Sequence, residues 1–410
     1  MALDQNYFSA GRNLSDGVRA GEQATLSELL NQVGFGTESG RALHVVVNPE
    51  PSILTADGSR GRPYGPSQIQ DAVDKAGQEM SSSRFDPVTI YFGAGVHDMG
   101  DDELVVKYDG IQLVGVSQNI TTIKSNGVAL TVTNATLESL STWRTSGDYT
   151  DLEYDPTINS GHGPQFFVAQ GIAFDSGDGD HVVDLIGVQG DDTASTTSFG
   201  WDNDNFVGGL ILYGVFASGN LSPIIYGRNC GIVDCYHMQL GLGQEYVNCY
   251  YVAHSYCHMG AGVDMTYDAV DPGGAPELGH YAHEFYQCQM HDVTLSGSAV
   301  ANVRMSECDD IFLSGTSVLT LYECTQGYDS GTDVVDIDDT AELATFGGTM
   351  TGDFDIEGGG KVTSVNTLFS RDFVLASGAG AITLRGGRFI TAPSGAGTGR
   401  ITHTQGDIGT

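Results

Sequence analysis

The sequence predicts an all-β fold of stacked coils, a β-solenoid with about 20 residues per coil. Three observations predict it. After Pro87 the chain reads as short β segments with Gly, Asn or Asp at the bends. Near the C-terminus it repeats: Leu343–Met350 lines up with Val362–Phe369 and then with Ile382–Phe389, at steps of 19 and 20 residues. Gly makes up 57 of 410 residues, about twice the usual share, as many tight bends require. Each coil cannot bury its own apolar face, so stacking at about 4.8 Å must bury it against the next.

The elements follow in chain order. Residues 1–66 form an N-terminal attachment or assembly module. Within it Thr25-Leu-Ser-Glu28 is a capping box, with an apolar stripe of Leu26, Leu29, Leu30 and Val33. Residues 67–87 are a helix and lead-in: Ser67-Gln-Ile-Gln70 opens the helix, and Ile69, Val73, Ala76 and Met80 form its buried stripe. A solenoid end is an exposed sheet edge, and this helix is placed to cover it. The coils then occupy 88–392, starting with Val88–Phe92, Ile111–Val114 and Ala129–Val132. Smaller matches support the period: Phe354 and Ile356 with Phe373 and Leu375, and Val293–Gly297 with Ile311–Gly315. About a dozen coils give a rod on the order of 60 Å long. Insertions interrupt them near 139–165, 189–206 and 262–280, and 393–410 is a polar tail.

Charge excludes several partners. The chain carries 52 acidic and 17 basic side chains, a net charge of −35, with 37 Asp and only 4 Lys. It has no basic footprint for nucleic acid, and anionic membranes repel it. No apolar run of 18 residues is present, so no membrane insertion is expected. The start lacks a basic n-region and an apolar h-region, so no secretory signal is expected. Self-repulsion of this size strains a compact fold in dilute buffer. At molar salt the Debye length is about 3 Å and the repulsion is screened. Asp excess with Lys scarcity is the composition expected of a protein living in concentrated salt. The seven Cys, spaced 5, 14, 8, 31, 20 and 16 apart with no CxxC, read as buried thiols.

A specific resemblance emerges at the start of the coils. Gln68-Ile-Gln-Asp-Ala-Val-Asp-Lys-Ala-Gly77, then Val88-Thr-Ile-Tyr-Phe-Gly-Ala-Gly-Val-His97, then Leu104-Val-Val106, Ile111–Gly115 and Thr121–Ile123, resembles the opening of pectate-lyase-like right-handed parallel β-helix proteins. Gly171–Asp175 is similar to a later coil of that superfamily. The resemblance covers about residues 67–392. It implies a right-handed parallel β-helix and one of three roles: polysaccharide lyase, glycoside hydrolase, or the tailspikes and receptor-binding proteins of tailed viruses.

No catalytic residues are assigned. Ser160-Gly-His162-Gly163 matches the Gly-His-Gly motif of polygalacturonases, but the Asn-Thr-Asp and Arg-Ile-Lys of that family are missing. Asp191-Asp192, Asp309-Asp310 and Asp338-Asp339 are carboxylate pairs of the kind glycoside hydrolysis uses, and adjacent pairs also arise by chance among 37 Asp. Asp175, Asp178 and Asp180 alternate beside glycines, a hard-oxygen set suited to Ca²⁺ but without an EF-hand's twelve-residue loop; a solvated acidic turn is the alternative. No cofactor is required.

The insertions are the candidate ligand surfaces. Trp143, Asp148 and Tyr149 sit in the first, and Trp201 in the second. Aromatic faces beside carboxylates suit sugars; the alternative is that each Trp anchors its loop. Tyr250, Tyr251, His254 and Tyr256 form a third candidate set, in a β stretch read as interior Cys and exterior Tyr and His. Zinc on His254, Cys257 and His258 fits no standard spacing.

These expectations combine into a structural virion protein, a spike, fibre or turret subunit of a tailed virus infecting a salt-loving archaeon. Such a protein assembles in the host cytoplasm and ends on the virion surface. Its partners are other virion proteins through the N-terminal module and a host cell-surface glycoprotein or glycan. It is a homo-oligomer, a trimer, or a pentamer if a turret. The alternative is a depolymerase on the same scaffold. Because salt screens the acidic self-repulsion, the melting temperature should rise steeply from dilute buffer to molar KCl, and a flat response removes the salt adaptation.

Overall fold

The computed structural model describes residues 41–47, 56–83, 85–155, 157, 164, 166–177, 181–188, 209–218, 223, 225–228, 230–240, 242–249, 251–260, 262–267, 282–327, 334–370, 373–375, 378–390, 394–395 and 401–403. The chain divides into two compact units, Met1–Ala42 and Leu43–Thr410. Only Arg41 and Ala42 of the first are described, so the N-terminal helix expected at Thr25 lies outside the described residues. Among the described residues the second unit is all-β apart from short helical segments.

Its strands pair in parallel with strict periodicity. One repeat reads Gly209–Tyr213, Phe216–Ser218 and Ile225–Arg228, and the next begins at Ile232–Tyr236. Each of the three strands joins a different sheet. The first sheet has 14 strands and the second 11. The third comprises runs of six and five strands, ending at His258–Met259 and starting at Glu307–Cys308. Gln289 forms parallel bridges to both His258 and Glu307, so the third row also continues. Register is kept residue for residue: Phe167, Leu210, Val233 and Val252 follow one another along the first sheet. The repeats expected from sequence are hydrogen-bonded partners. Leu343 pairs Val362, which pairs Ile382; Met350 pairs Phe369, which pairs Phe389; Phe354 pairs Phe373; Val293 pairs Ile311.

Alternation decides which face is buried. Val88–Phe92 alternates buried and half-buried, and Asp353–Ile356 alternates exposed and buried. The inward positions form one apolar core from Leu43 to Phe389. At roughly 25 cal/mol per Å² this burial is the main stabilising term.

The turn from first to third sheet is a second regularity. One residue there is left-handed: Gly171, Gly214, His237, Tyr256, Gln287, Met305, Glu323, Gly347, Asn366 and Gly386, each with φ between 49° and 72°. For a non-Gly residue this costs about 1–2 kcal/mol. From Gly171 to Asn366 each N–H is held by the carbonyl closing the following first-sheet strand: His237 to Ser255, Tyr256 to Tyr286, Gln287 to Arg304, Met305 to Tyr322. The next residue turns inward. Cys257, Cys288, Ser306 and Cys324 there donate to the carbonyl two residues back, at 2.8–3.5 Å.

The expected end-covering helix is present, with different local geometry. It begins as a 3₁₀ turn at Pro66–Gln68, continues as α1 (Ile69–Asp74), and ends as a π turn at Lys75–Glu79. The Gln68 side chain, not Ser67, caps it by accepting from Gly65 N–H at 3.3 Å. Ile69, Val73 and Ala76 are buried in the core, and Met80 packs against it. Gln70 lies beside Leu104–Val106, the terminal strand of the second sheet. Its side-chain amide accepts from Val105 N–H at 2.9 Å and donates to Val105 C=O at 3.0 Å. It thus substitutes for the missing neighbour strand.

Four expectations need correction. Leu43, Val45 and Tyr64 belong to the main core, so the boundary between compact units precedes residue 66. Leu130–Thr133 lies in the second sheet, beside Leu104–Val106, because it occupies a different side of the repeat from Ile111–Val114. The first insertion contains α2 (Leu137–Ser146), so Trp143 stands on a helix rather than in a loop. Within the tail, Ile401–His403 adds a further strand on Ile382–Leu384.

Replacing Gln70 by Ala leaves both Val105 backbone groups without that partner. Chemical denaturation should show a loss of about 2 kcal/mol, while Gln78→Ala, whose bond to Tyr108 is exposed, should change stability little.

Candidate functional site

The described part of the first insertion builds a cleft on the second sheet's outer side. Thr136 caps α2 by accepting from Ser139 N–H at 3.1 Å, and left-handed Gly147 ends it. Leu140 and Trp143, three residues apart, share one helix face. They pack on Ala135, Ile186, Val188, Tyr226 and Val247 in a second small core. For this reason Val183–Ile186 is buried at all four positions instead of alternating.

Arg144 fastens the helix to the sheet. Its guanidinium grips Glu103 through two bonds of 2.7 and 2.8 Å and reaches Asp184 at 2.7 Å. Asp184, fully buried, also takes His181 Nδ1 at 2.7 Å. Burial opposes the Arg144 charge, but the bonds to Glu103 and the field of Asp184 outweigh it and raise its pKa. Losing Arg144 is costly here, because Asp184 is buried and would keep only His181 as a charged partner.

Aromatic rings line the other wall. Tyr149 stacks on Tyr226 at 6.1 Å and 6°, with their hydroxyls hydrogen-bonded. His181 stacks on Tyr226 at 5.0 Å, and Trp143 leans on both tyrosines. The Arg228 guanidinium lies 3.4 Å from the Tyr149 ring centre. The cleft, about 480 Å³, is bordered by Asp101, Glu103, Arg144, Tyr149, His181 and Glu245. Burial, and then Asp264, raise the Glu245 pKa. Glu245 and Asp264 are direct partners in the second-sheet ladder. Carboxylates thus outnumber cations along the cleft, which favours neutral or cationic ligands over anions.

The sequence-derived candidates separate on this frame. Trp143, 4% exposed, anchors the helix and forms the cleft wall with its neighbours. Tyr149 faces the cleft. Asp148 is exposed and takes the Thr150 N–H and hydroxyl, which hold its pKa low. Trp201, Tyr250, Asp178 and Asp180 lie outside the described residues, as do His162 and Asp191-Asp192. Asp175 accepts from Ser218 Oγ at 3.0 Å, and no group of three His, Cys, Asp or Glu suited to a metal occurs among the described residues.

The third set falls on two faces. Tyr251 is half-buried in the first sheet. Tyr256 stands at a left-handed corner, stacked on His237 at 5.1 Å. Beside it a second cleft of about 540 Å³ is bordered by His237, Tyr256, Cys257, His258, Gln287 and Cys288. His254 is fully buried, a correction to its expected outward place: Ala253 takes the outward position. It bonds Gln244 Oε1 at 2.9 Å and stacks on Phe285 at 5.1 Å.

Sequence reading missed Glu103, His181, Asp184, Tyr226, Arg228 and Glu245. Tyr149 and Tyr226 are 77 positions apart, so no local spacing relates them. A usable signal was Val182–Val188, whose apolar run broken by one Asp marks a strand covered on both faces.

Burial, with help from His283, pushes the His254 pKa down to about 3. The unfolded chain takes up this proton below about pH 6.5, and the folded one does not. Stability therefore falls as pH drops from about 6.5 toward 3, by up to about 1.4 kcal/mol per unit. His254→Phe should flatten that part of the stability–pH curve relative to the parent, measured by denaturant unfolding between pH 7 and 4.

No family model matches this sequence, and no curated protein does. Among solved structures the chain is similar to ORF18 of Geobacillus virus E2, at 11% identity and a TM-score of 0.30. The match takes in 95% of this chain and 64% of that one, so this chain spans less than two thirds of that protein's length. A likeness at this level sets neither fold nor role.

Proposed function

We propose that this chain is a structural attachment protein that binds a neutral or amino-sugar glycan in the cleft between α2 and the second sheet. Its parallel repeats wind as a right-handed parallel β-helix. Its setting is the virion surface of a tailed virus of a salt-loving archaeon, as a spike, fibre or turret subunit, assembled as a homotrimer or, in a turret, a pentamer. The N-terminal module contacts other virion proteins. Ca²⁺ at Asp175, Asp178 and Asp180 is an accessory of the same proposal.

One observation carries the binding reading: the rings of Trp143, Tyr149 and Tyr226 and the carboxylates of Asp101, Glu103 and Glu245 border a single cleft. Rings stack on the apolar faces of sugars, and carboxylates accept from their hydroxyls. The acidic surplus disfavours polyuronates. The virion setting rests on composition, the repeat pattern and the resemblance of residues 67–392.

A second reading has its own support. Glu245 and Asp264 are adjacent in register, with the Glu245 pKa raised. Two close carboxylates, one with a raised pKa, are the equipment of glycoside hydrolysis.

A panel of neutral, amino-sugar and uronate oligosaccharides tests both. Binding to the first two classes and not to uronates is expected. Tyr149→Ala should weaken it about tenfold, or ~1.4 kcal/mol. Equal binding by Tyr149→Ala removes the cleft from the function. Release of shorter products by the parent chain but not by Glu245→Gln selects the hydrolase. Host-cell binding unaffected by Trp143→Ala with Trp201→Ala removes the attachment role of the insertions.

A further inference from the structure

All seven cysteines are buried and unbridged. They occupy inward positions that the repeat brings into line. Arg228 pairs Val247, so Cys230 and Cys249, each two residues later, follow one another along the stack. Ser255 pairs Tyr286, and Cys257 and Cys288 hold the same offset.

The second pair has the tighter description. Tyr256 N–H donates to Tyr286 C=O at 3.0 Å, and Gln289 N–H donates to Cys257 C=O at 3.0 Å. The two cysteines are thus fixed at ladder spacing, about 4.8 Å. That lies within the Cα separation of about 4.4–6.8 Å that a disulfide spans. Their side chains are oriented alike: Cys257 Sγ lies 3.4 Å from Ser255 O, and Cys288 Sγ 3.5 Å from Tyr286 O. Both border the corner cleft with His237, Tyr256, His258 and Gln287. Cys230 and Cys249 border neither cleft described above.

We propose that Cys257 and Cys288 are a redox pair, closed to a disulfide between successive repeats by an oxidant of the disulfide class. The Cys288 thiolate attacks one sulfur of the oxidant RSSR, and RS⁻ leaves. The Cys257 thiolate then attacks the Cys288 sulfur of the mixed disulfide and expels the second RS⁻. Two protein thiols lose two protons and two electrons, and RSSR becomes two RSH. Cys288 suits the first step. Burial raises its pKa, but bonds from Cys257 and the adjoining backbone outweigh burial and lower it. Cys257 is pushed the other way, chiefly by burial. A chain assembled among reduced thiols and released into an oxidising medium would acquire this cross-link late. That timing rests on the proposed virion role; the chemistry does not.

The full-length protein is treated with hydroxyethyl disulfide, a neutral oxidant indifferent to the acidic surface, then quenched, unfolded, alkylated and peptide-mapped. The expected result is one Cys257–Cys288 cross-link, five alkylated cysteines, and a melting temperature several degrees higher that dithiothreitol reverses. Cys288→Ser should fold, because Ser306 fills the same corner in the next repeat and donates to Arg304 O at 2.8 Å. It should abolish the cross-link. Seven alkylated cysteines after treatment of the folded parent, or closure of Cys230–Cys249 before Cys257–Cys288, overturns the proposal.

Discussion

The interaction on which the rest depends is the hydrogen bond at the left-handed corner. A parallel ladder holds register only if every repeat turns at the same place. Here, from Gly171 to Asn366, one residue at each such corner adopts positive φ and gives its N–H to the carbonyl ending the next first-sheet strand. Glycine fills the position where it is available. Elsewhere His237, Tyr256, Gln287, Met305 and Glu323 accept the conformational cost. The inward thiol or hydroxyl that follows donates to the same carbonyl that takes the preceding corner's N–H. Cysteines and serine are favoured there by size and by a single rotatable donor, which is why thiols line up without being bridged.

The cleft is a departure from that regularity. From Gly262–Tyr267 onward the second sheet shows the ordinary alternation of buried and more exposed positions. Under α2 the outward positions Ile186, Tyr226 and Val247 are apolar and covered. Asp184, outward and polar, is retained there only because Arg144 and His181 satisfy it. One helix therefore does two things: it buries an apolar strip, and it brings a cation between two carboxylates.

The acid excess is consistent with this arrangement. Outward ladder positions such as Asp336 and Asp355 are direct neighbours in successive repeats. Like charges so placed repel, and burial followed by Asp338 and Asp355 raises the Asp336 pKa. Salt relieves such contacts along the whole stack, whereas the buried Arg144 network is little screened. Packing, cleft and core are thus less sensitive to ionic strength than the outer carboxylates.

By itself the sequence determined the period, the inward apolar positions and the covering helix. Those are local properties: the alternation within Val88–Phe92, the spacing of Leu343, Val362 and Ile382, and the apolar stripe of Ile69, Val73 and Ala76 each lie within one repeat or one step. It also marked the first insertion, though not as a helix, since Trp143 among polar residues gives only a weak helical stripe. Tertiary structure alone decided which sheet the first insertion covers. It joined Tyr149 to Tyr226 and Arg144 to Glu103 and Asp184, and it turned His254 inward. The reason is physical: a β stack repeats its backbone, but the side chains that meet across it are separated by whole repeats, and no spacing rule in the sequence spans them.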